Sequence, residues 1–278
     1  MRTCVGAVIV ALAACGGAPA PPPSAPAAAA PIRCDPADLD TCDRACAAGD
    51  IEVCAQLGAL YATAEGDLAD LRDVPRAARY LEQACAADEL SSCYLLAWSI
   101  DVGTEVGADP ARAAALYQRA CAGEVAAACG ALGVLYEDGR GVPKNEARAA
   151  ELYRVPCDRG DVAYCNNLGR MYKYGRGVAR DVARARALFE QACAADDQLA
   201  CNNLGVLYEQ GIGVAYDYPR ARALYVQACE AGEPRGCHNL GVLIDAGHGE
   251  PADPAAARAW FQRACDAGLA ESCAAAAP

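Results

Sequence analysis

Only two lysines, Lys144 and Lys173, occur in 278 residues, and acidic side chains outnumber basic ones by 36 to 24. A nucleic-acid surface needs clustered cations, and none is visible, so that class of partner is set aside. Histidine is as scarce, with His238 and His248 alone, and no H-E-x-x-H pattern exists; a zinc hydrolase has no ligand set to work with. The five serines are Ser24, Ser91, Ser92, Ser99 and Ser272. None opens S-x-x-K and K-T-G is missing, which removes the usual serine β-lactamase apparatus. Aromatic residues make up 6% of the chain. Strands want more β-branched and aromatic side chains, so the composition points to helix. No catalytic constellation, cofactor motif or metal spacing emerges, and a non-enzymatic protein is the expectation.

Cysteine, by contrast, is abundant, with 18 residues. Cys46, Cys85, Cys121, Cys157, Cys193, Cys229 and Cys265 recur at a step of 39 and then of 36 residues, and each has a partner eight residues later. A fixed period with a fixed internal C-x7-C marks a repeat array. So many cysteines suit an oxidising compartment. Zinc sites use two to four intervening residues, so seven argues for disulfides instead.

The first residues fit export. Arg2 precedes an apolar run, Cys4 to Ala14, too short to span a bilayer and shaped like a secretory signal. Leu12-Ala13-Ala14-Cys15-Gly16 resembles the bacterial lipobox. That resemblance implies cleavage after residue 14, a lipid on Cys15, and, with Gly16 rather than Asp following, an outer-membrane anchor facing periplasm or cell surface. Residues 15–33 are Gly, Ala, Pro and Ser with almost no charge, a tether partly in polyproline II. The lipid would be the only contact with the membrane. Residues 34–278 form the array.

Within each period two helices are expected. One, B, starts at an N-cap such as Asp109, Asn145, Asp181 or Asp217, and carries an apolar pair (Leu188-Phe189, Leu224-Tyr225) before its cysteine. The next, A, carries the second cysteine and then Leu-Gly-x-x-Tyr: Leu132-Gly133 with Tyr136, Leu168-Gly169 with Tyr172, Leu204-Gly205 with Tyr208. A glycine recurring in mid-helix costs roughly 1 kcal/mol against Ala and signals a neighbouring helix pressed close. Gly139-Arg-Gly-Val, Gly175-Arg-Gly-Val and Gly211-Ile-Gly-Val end the A helices at positions tolerant of positive φ. Pro156, just before Cys157, is expected to bend its B helix or end it early.

Leu-Gly-x-x-Tyr, Gly-x-Gly-Val and Asp-x-x-Arg together resemble the Sel1-like repeat, a relative of the tetratricopeptide repeat. With its C-x7-C, the chain resembles the secreted cysteine-rich group of that family. The resemblance implies an all-α fold, an α/α superhelical solenoid of about six to seven repeats, with the A helices on the concave face. Some relatives in that group have been described as penicillin-binding or weakly β-lactamase-active, which makes a β-lactam or cell-wall peptide ligand the alternative to protein binding. A purely structural envelope spacer is a second alternative.

Each C-x7-C straddles the turn between a B and an A helix. Equal distances on either side bring the two Cβ atoms together, predicting Cys46–Cys54, Cys85–Cys93, Cys121–Cys129, Cys157–Cys165, Cys193–Cys201, Cys229–Cys237 and Cys265–Cys273. Cys34–Cys42 has the same spacing without an obvious turn. It can close if Asp40 is the N-cap of a truncated first helix and Cys34 folds back.

A column of asparagines is the candidate binding feature. Asn167, Asn203 and Asn239 precede Leu-Gly in three adjacent copies, themselves preceded by Asn166, Asn202 and His238. An amide both donates and accepts, which suits an extended peptide backbone; the same residues serve equally well to satisfy groups between helices. Arg170 follows Asn167 by one helical turn and Lys173 by two, where a peptide carboxylate or an acidic partner would be held. An envelope protein or peptide is the expected partner.

Overall fold

The computed structural model describes residues 34–102 and 107–277. The signal 1–14, Cys15 and the tether to residue 33 lie outside the described residues. Asp, Asn and small residues alternate with apolar positions at helical spacing, and the chain folds accordingly. The B helices are α1 (Leu39–Ala47), α3 (Val74–Ala86), α5 (Pro110–Ala122), α7 (Glu146–Asp158), α9 (Val182–Ala194), α11 (Tyr218–Glu230) and α13 (Pro254–Asp266). The A helices between and after them are α2 (Ile51–Thr63), α4 (Leu90–Val102), α6 (Ala126–Asp138), α8 (Val162–Tyr174), α10 (Gln198–Gln210), α12 (Pro234–Asp245) and the short α14 (Ala270–Ala276). No strand occurs among the described residues. Each helix packs on the next in sequence, and α10 also touches α12, so the array grows by stacking of neighbours. No helix among the described residues is long and apolar enough to cross a membrane.

The B helices start where a carboxylate or amide accepts the N–H three residues on. Asp109 caps Arg112, Asn145 caps Arg148, Asp181 caps Arg184 and Asp217 caps Arg220, at 2.9–3.0 Å. The first helix departs from expectation. Its N-cap is Asp38, not Asp40, with Oδ1 accepting from Thr41 N at 3.2 Å. Starting two residues earlier leaves Asp40 in the first helical turn, where its charge faces the helix N-terminus. A turn before Asp38 carries Cys34 back to Cys42, and the Cα atoms lie 5.4 Å apart across the bridge.

Pro156 does not end its helix early, which corrects that one of the two expectations for it. Helix α7 runs through it to Asp158, as long as α5 and α9. Proline this near the C-terminus removes a single intrahelical bond. The ring also occupies the slot taken elsewhere by Ala120, Ala192 and Ala228, all fully buried, and the Cys157–Cys165 bridge pins the turn that follows.

Tight packing explains the mid-helix glycines. A Cβ on Gly169 would stand 2.7 Å from the Phe189 ring, one on Gly205 2.6 Å from Tyr225, and one on Gly241 2.7 Å from Phe261. From α6 to α12 each A helix therefore presses its glycine against the aromatic ring of the following B helix, while in α2 Gly58 presses on Leu81, and only a hydrogen fits between. In the second copy Ala97 holds this place, fully buried. The core is a row of such rings and leucines joined by alanines and disulfides.

Candidate functional site

The asparagine column lies on the A helices and bonds from one helix to the next. Asn203 Nδ2 donates to Asn166 Oδ1, and Asn239 Nδ2 donates to Asn202 Oδ1, both at 2.8 Å. His238 Nδ1 meets Ser272 Oγ at 2.8 Å and carries the line on to α14. Asn166 and Asn202 are buried, while Asn167, Asn203, His238 and Asn239 are half-buried. Each paired amide thus has a fixed direction: the donor side of Asn203 and Asn239 points along the array, and among the described residues their carbonyl oxygens accept no hydrogen bond. Asn167 has no asparagine one repeat back, where Gly130 makes room for the Tyr164 ring. Its Oδ1 accepts a long contact from Arg170 Nη1 at 3.5 Å.

A second column runs beside the first, in the last turn of the A helices: Asp101, Glu137, Lys173, Glu209 and Asp245, each 36 residues on. Glu137 accepts from Tyr153 Oη at 2.7 Å and pairs with Arg176 at 3.2 Å and Arg170 at 4.0 Å. Glu209 accepts from Tyr225 Oη at 2.7 Å and faces His248 Nδ1 at 3.8 Å. Asp101 pairs with Arg140 at 2.7 Å. Burial pushes the Tyr153 and Tyr225 hydroxyls well above the usual range, and the carboxylate each touches adds to it, so both stay neutral donors. The signal for these carboxylates was present in the sequence as an acid sixteen residues before a tyrosine, and sequence reading missed it.

Lys173 breaks the pattern. The places that hold Glu137 are Tyr153, Arg170 and Arg176; one period later they are Phe189, Val206 and Ile212. The lysine is 5% exposed, and among the described residues it donates no hydrogen bond and meets no carboxylate. Its Nζ lies 5.1 Å from the centre of the exposed Tyr174 ring. Its stem is buried but the ammonium is not enclosed, since the enclosed unpartnered polar atoms are those of Tyr61, Tyr164, Arg186 and Gln198. Of the two cations expected on this face, Arg170 is turned to Glu137 and Lys173 is left. Residues 170–186 also carry Arg176, Arg180, Arg184 and Arg186 against Asp181, which is spent capping α9. This cationic stretch sits in a chain of net charge −12.

The eight cysteine pairs are bridged, with Cα–Cα distances of 4.6–4.8 Å in the seven that join a B to an A helix. Among the described residues no cluster of three metal-ligating side chains occurs.

No curated protein matches the chain. Among solved structures, the protective antigen c5321 of uropathogenic Escherichia coli strains, which displays an SLR fold, is 26% identical with a TM-score of 0.70 over 84% of this chain. The chain spans about half (50%) of that antigen's length. A Sel1 repeat protein from Oxalobacter formigenes is 24% identical with a TM-score of 0.70, covering 79% of this chain and 84% of that one. Cysteine-rich protein B of Helicobacter pylori is 28% identical, with a TM-score of 0.39, covering 48% of this chain and 96% of that one. The Sel1 repeat model matches six times, at residues 51–89, 90–124, 126–161, 162–197, 198–233 and 234–269. Its frame starts each repeat on an A helix, so the five bridges from Cys85–Cys93 to Cys229–Cys237 tie consecutive repeats together. With six matched repeats covering most of its length, the chain belongs to the Sel1-repeat family.

Proposed function

We propose that this chain is a non-enzymatic scaffold, lipid-anchored through Cys15 in the bacterial cell envelope, that binds a protein or peptide along its A-helix face. Sel1-repeat arrays are in general protein-interaction modules. The observation that carries the finer reading is Lys173, a nearly buried lysine with no acceptor among the described residues, on the same stack of A helices as the asparagine line, where the Asn203 and Asn239 carbonyl oxygens accept no hydrogen bond among the described residues. An extended chain would donate its backbone N–H groups to Asn203 and Asn239 and bring a carboxylate to Lys173. Asn166, Asn202 and His238 hold this line in register from within.

A peptide panel presented with free or amidated C-termini tests the site. Binding is expected to fall about tenfold on amidation, and equally in Lys173→Met, as befits one charge-assisted hydrogen bond. Methionine fills the apolar slot, so stability should hold. Equal affinity for free and amidated peptides would remove the carboxylate from the reading. The anchor is tested separately: Cys15→Ser is expected to move the protein from the membrane fraction to the soluble one, and an unchanged distribution would rule the lipid out.

A further inference from the structure

The last repeat departs from the others at one place, and the departures converge. In three earlier repeats the valine of Gly-x-Gly-Val, Val142, Val178 or Val214, packs against the core. Here the residue is Glu250, drawn to Arg222 at 2.5 Å. One repeat earlier Arg220 lies over the Tyr208 ring at 4.3 Å, and two earlier Arg184 lies over Tyr172 at 4.7 Å. Here the two positions are Ala256 and Ile244, so that stacked pair is gone. A cavity of about 440 Å³ opens where these side chains would have been, lined among others by Ile244, Glu250 and Ala256. That volume lies within the range of small-molecule sites.

Its walls change in the opposite sense. Trp260 stands where Leu116, Leu152, Leu188 and Leu224 stand in earlier repeats, and Tyr218 where Pro110, Glu146 and Val182 stand. His248 replaces Arg140, Arg176 and Ile212 of the earlier loops. All three rings line the cavity. Each is backed: the Tyr218 and His248 rings stack with centroids 4.8 Å apart, and the Arg263 guanidinium lies 5.8 Å from the Trp260 ring. The polar groups are also held. Glu250 and Arg222 cancel one another, and Asp253 accepts from Ala256 N at 2.9 Å as the cap of α13.

We infer that this cavity is a binding site for an uncharged pyranose ring. The reading stands apart from the peptide site on the A helices. Aromatic faces offer an apolar platform for the C–H face of a sugar. The Arg222–Glu250 pair beside them offers both donors and acceptors, which matches hydroxyls that both give and take. Arg222, Glu250 and Asp253, which line the cavity, are already engaged, so neither an anion nor a cation finds a free counter-charge among them. A purely apolar side chain would leave the Arg222–Glu250 pair unused and partly desolvated.

The chain has two tryptophans, so Trp98→Phe leaves Trp260 as a single fluorescent reporter inside the site. The probes are cellobiose, maltose, lactose and N,N′-diacetylchitobiose at millimolar concentration. At least one is expected to shift the Trp260 emission saturably and to show saturation-transfer NMR from the protein to its ring protons. Glu250→Val, which restores the residue of the other repeats and removes the ion pair with Arg222, is expected to weaken that binding at least tenfold with the melting temperature kept. Trp260→Leu, read by NMR alone, should abolish it. Absence of saturable binding by all four sugars overturns the inference, and so does binding that survives Glu250→Val. Peptide binding in the Lys173 assay is expected to be the same in Glu250→Val, so the two readings fail separately.

Discussion

Full reduction of the disulfides is expected to abolish the single cooperative melt of the array, with helicity at physiological temperature falling by more than half. Each bridge closes a loop of eight residues, and chain entropy assigns such a loop roughly 2–3 kcal/mol. The position of the bridges makes the effect larger than that number. In a linear array, stability is a sum of repeat terms and of interfaces between neighbours. Five bridges cross those interfaces, so reduction weakens the terms that couple one repeat to the next. The core beneath them is a thin row of rings and leucines spaced by alanines, and has little to offer instead. Circular-dichroism melts with and without a phosphine reductant read the loss. The double substitution Cys193→Ala with Cys201→Ala gives the single-bridge value, expected near 2–3 kcal/mol and placed mid-array where both neighbours lose their coupling. A reduced protein that melts cooperatively within a few degrees of the oxidised one would show that packing alone carries the array.

Gly177→Ala is expected to cost more than 3 kcal/mol, while Gly160→Ala costs about 1–2 kcal/mol. Both glycines have positive φ, +67° and +93°, so both substitutions carry the conformational penalty of an L side chain there. They differ in what a methyl group meets. At Gly160 nothing lies within 4 Å. At Gly177 the Cβ would stand 2.2–2.4 Å from the backbone of Glu146 and Ala147, at the start of the B helix one repeat earlier. Backbone cannot rotate aside as a side chain can, so the loop must lift off that helix. Gly141 has the same relation to Pro110, with 2.1 Å to its carbonyl oxygen, so the contact is a repeating joint. Denaturant melts of the two variants beside wild type measure the difference. Equal losses would mean that the second glycine of Gly-x-Gly serves only its own turn.

Much of the fold could be read from residue order because a repeat states the same local answer many times. The N-caps at Asp109, Asn145, Asp181 and Asp217 and the glycine-ended A helices follow from local backbone chemistry, which acts within a few residues. Two expectations failed where one local signal competed with another or with packing. Asp38 and Asp40 are both good caps, and Asp38 holds the place by accepting from both the backbone N–H and the hydroxyl of Thr41. Pro156 is a helix breaker on its own, yet it sits in an alanine slot prepared by the neighbouring helices.

The candidate site was legible in its parts and not in its wiring. Residue order was enough for the repeat, the helix pairs, the cysteine spacing, the asparagine column and the candidate cations Arg170 and Lys173, because each depends on spacing along one chain. Packing across repeats settles that Asn203 bonds to Asn166 and Asn239 to Asn202, and that Arg170 turns to Glu137 while Lys173 meets no carboxylate among the described residues. Only the tertiary structure also opened the cavity at Glu250. These outcomes depend on which side chains meet across 30 to 40 residues, and packing between neighbouring repeats sets those distances to within an ångström, while spacing along a helix specifies only the face.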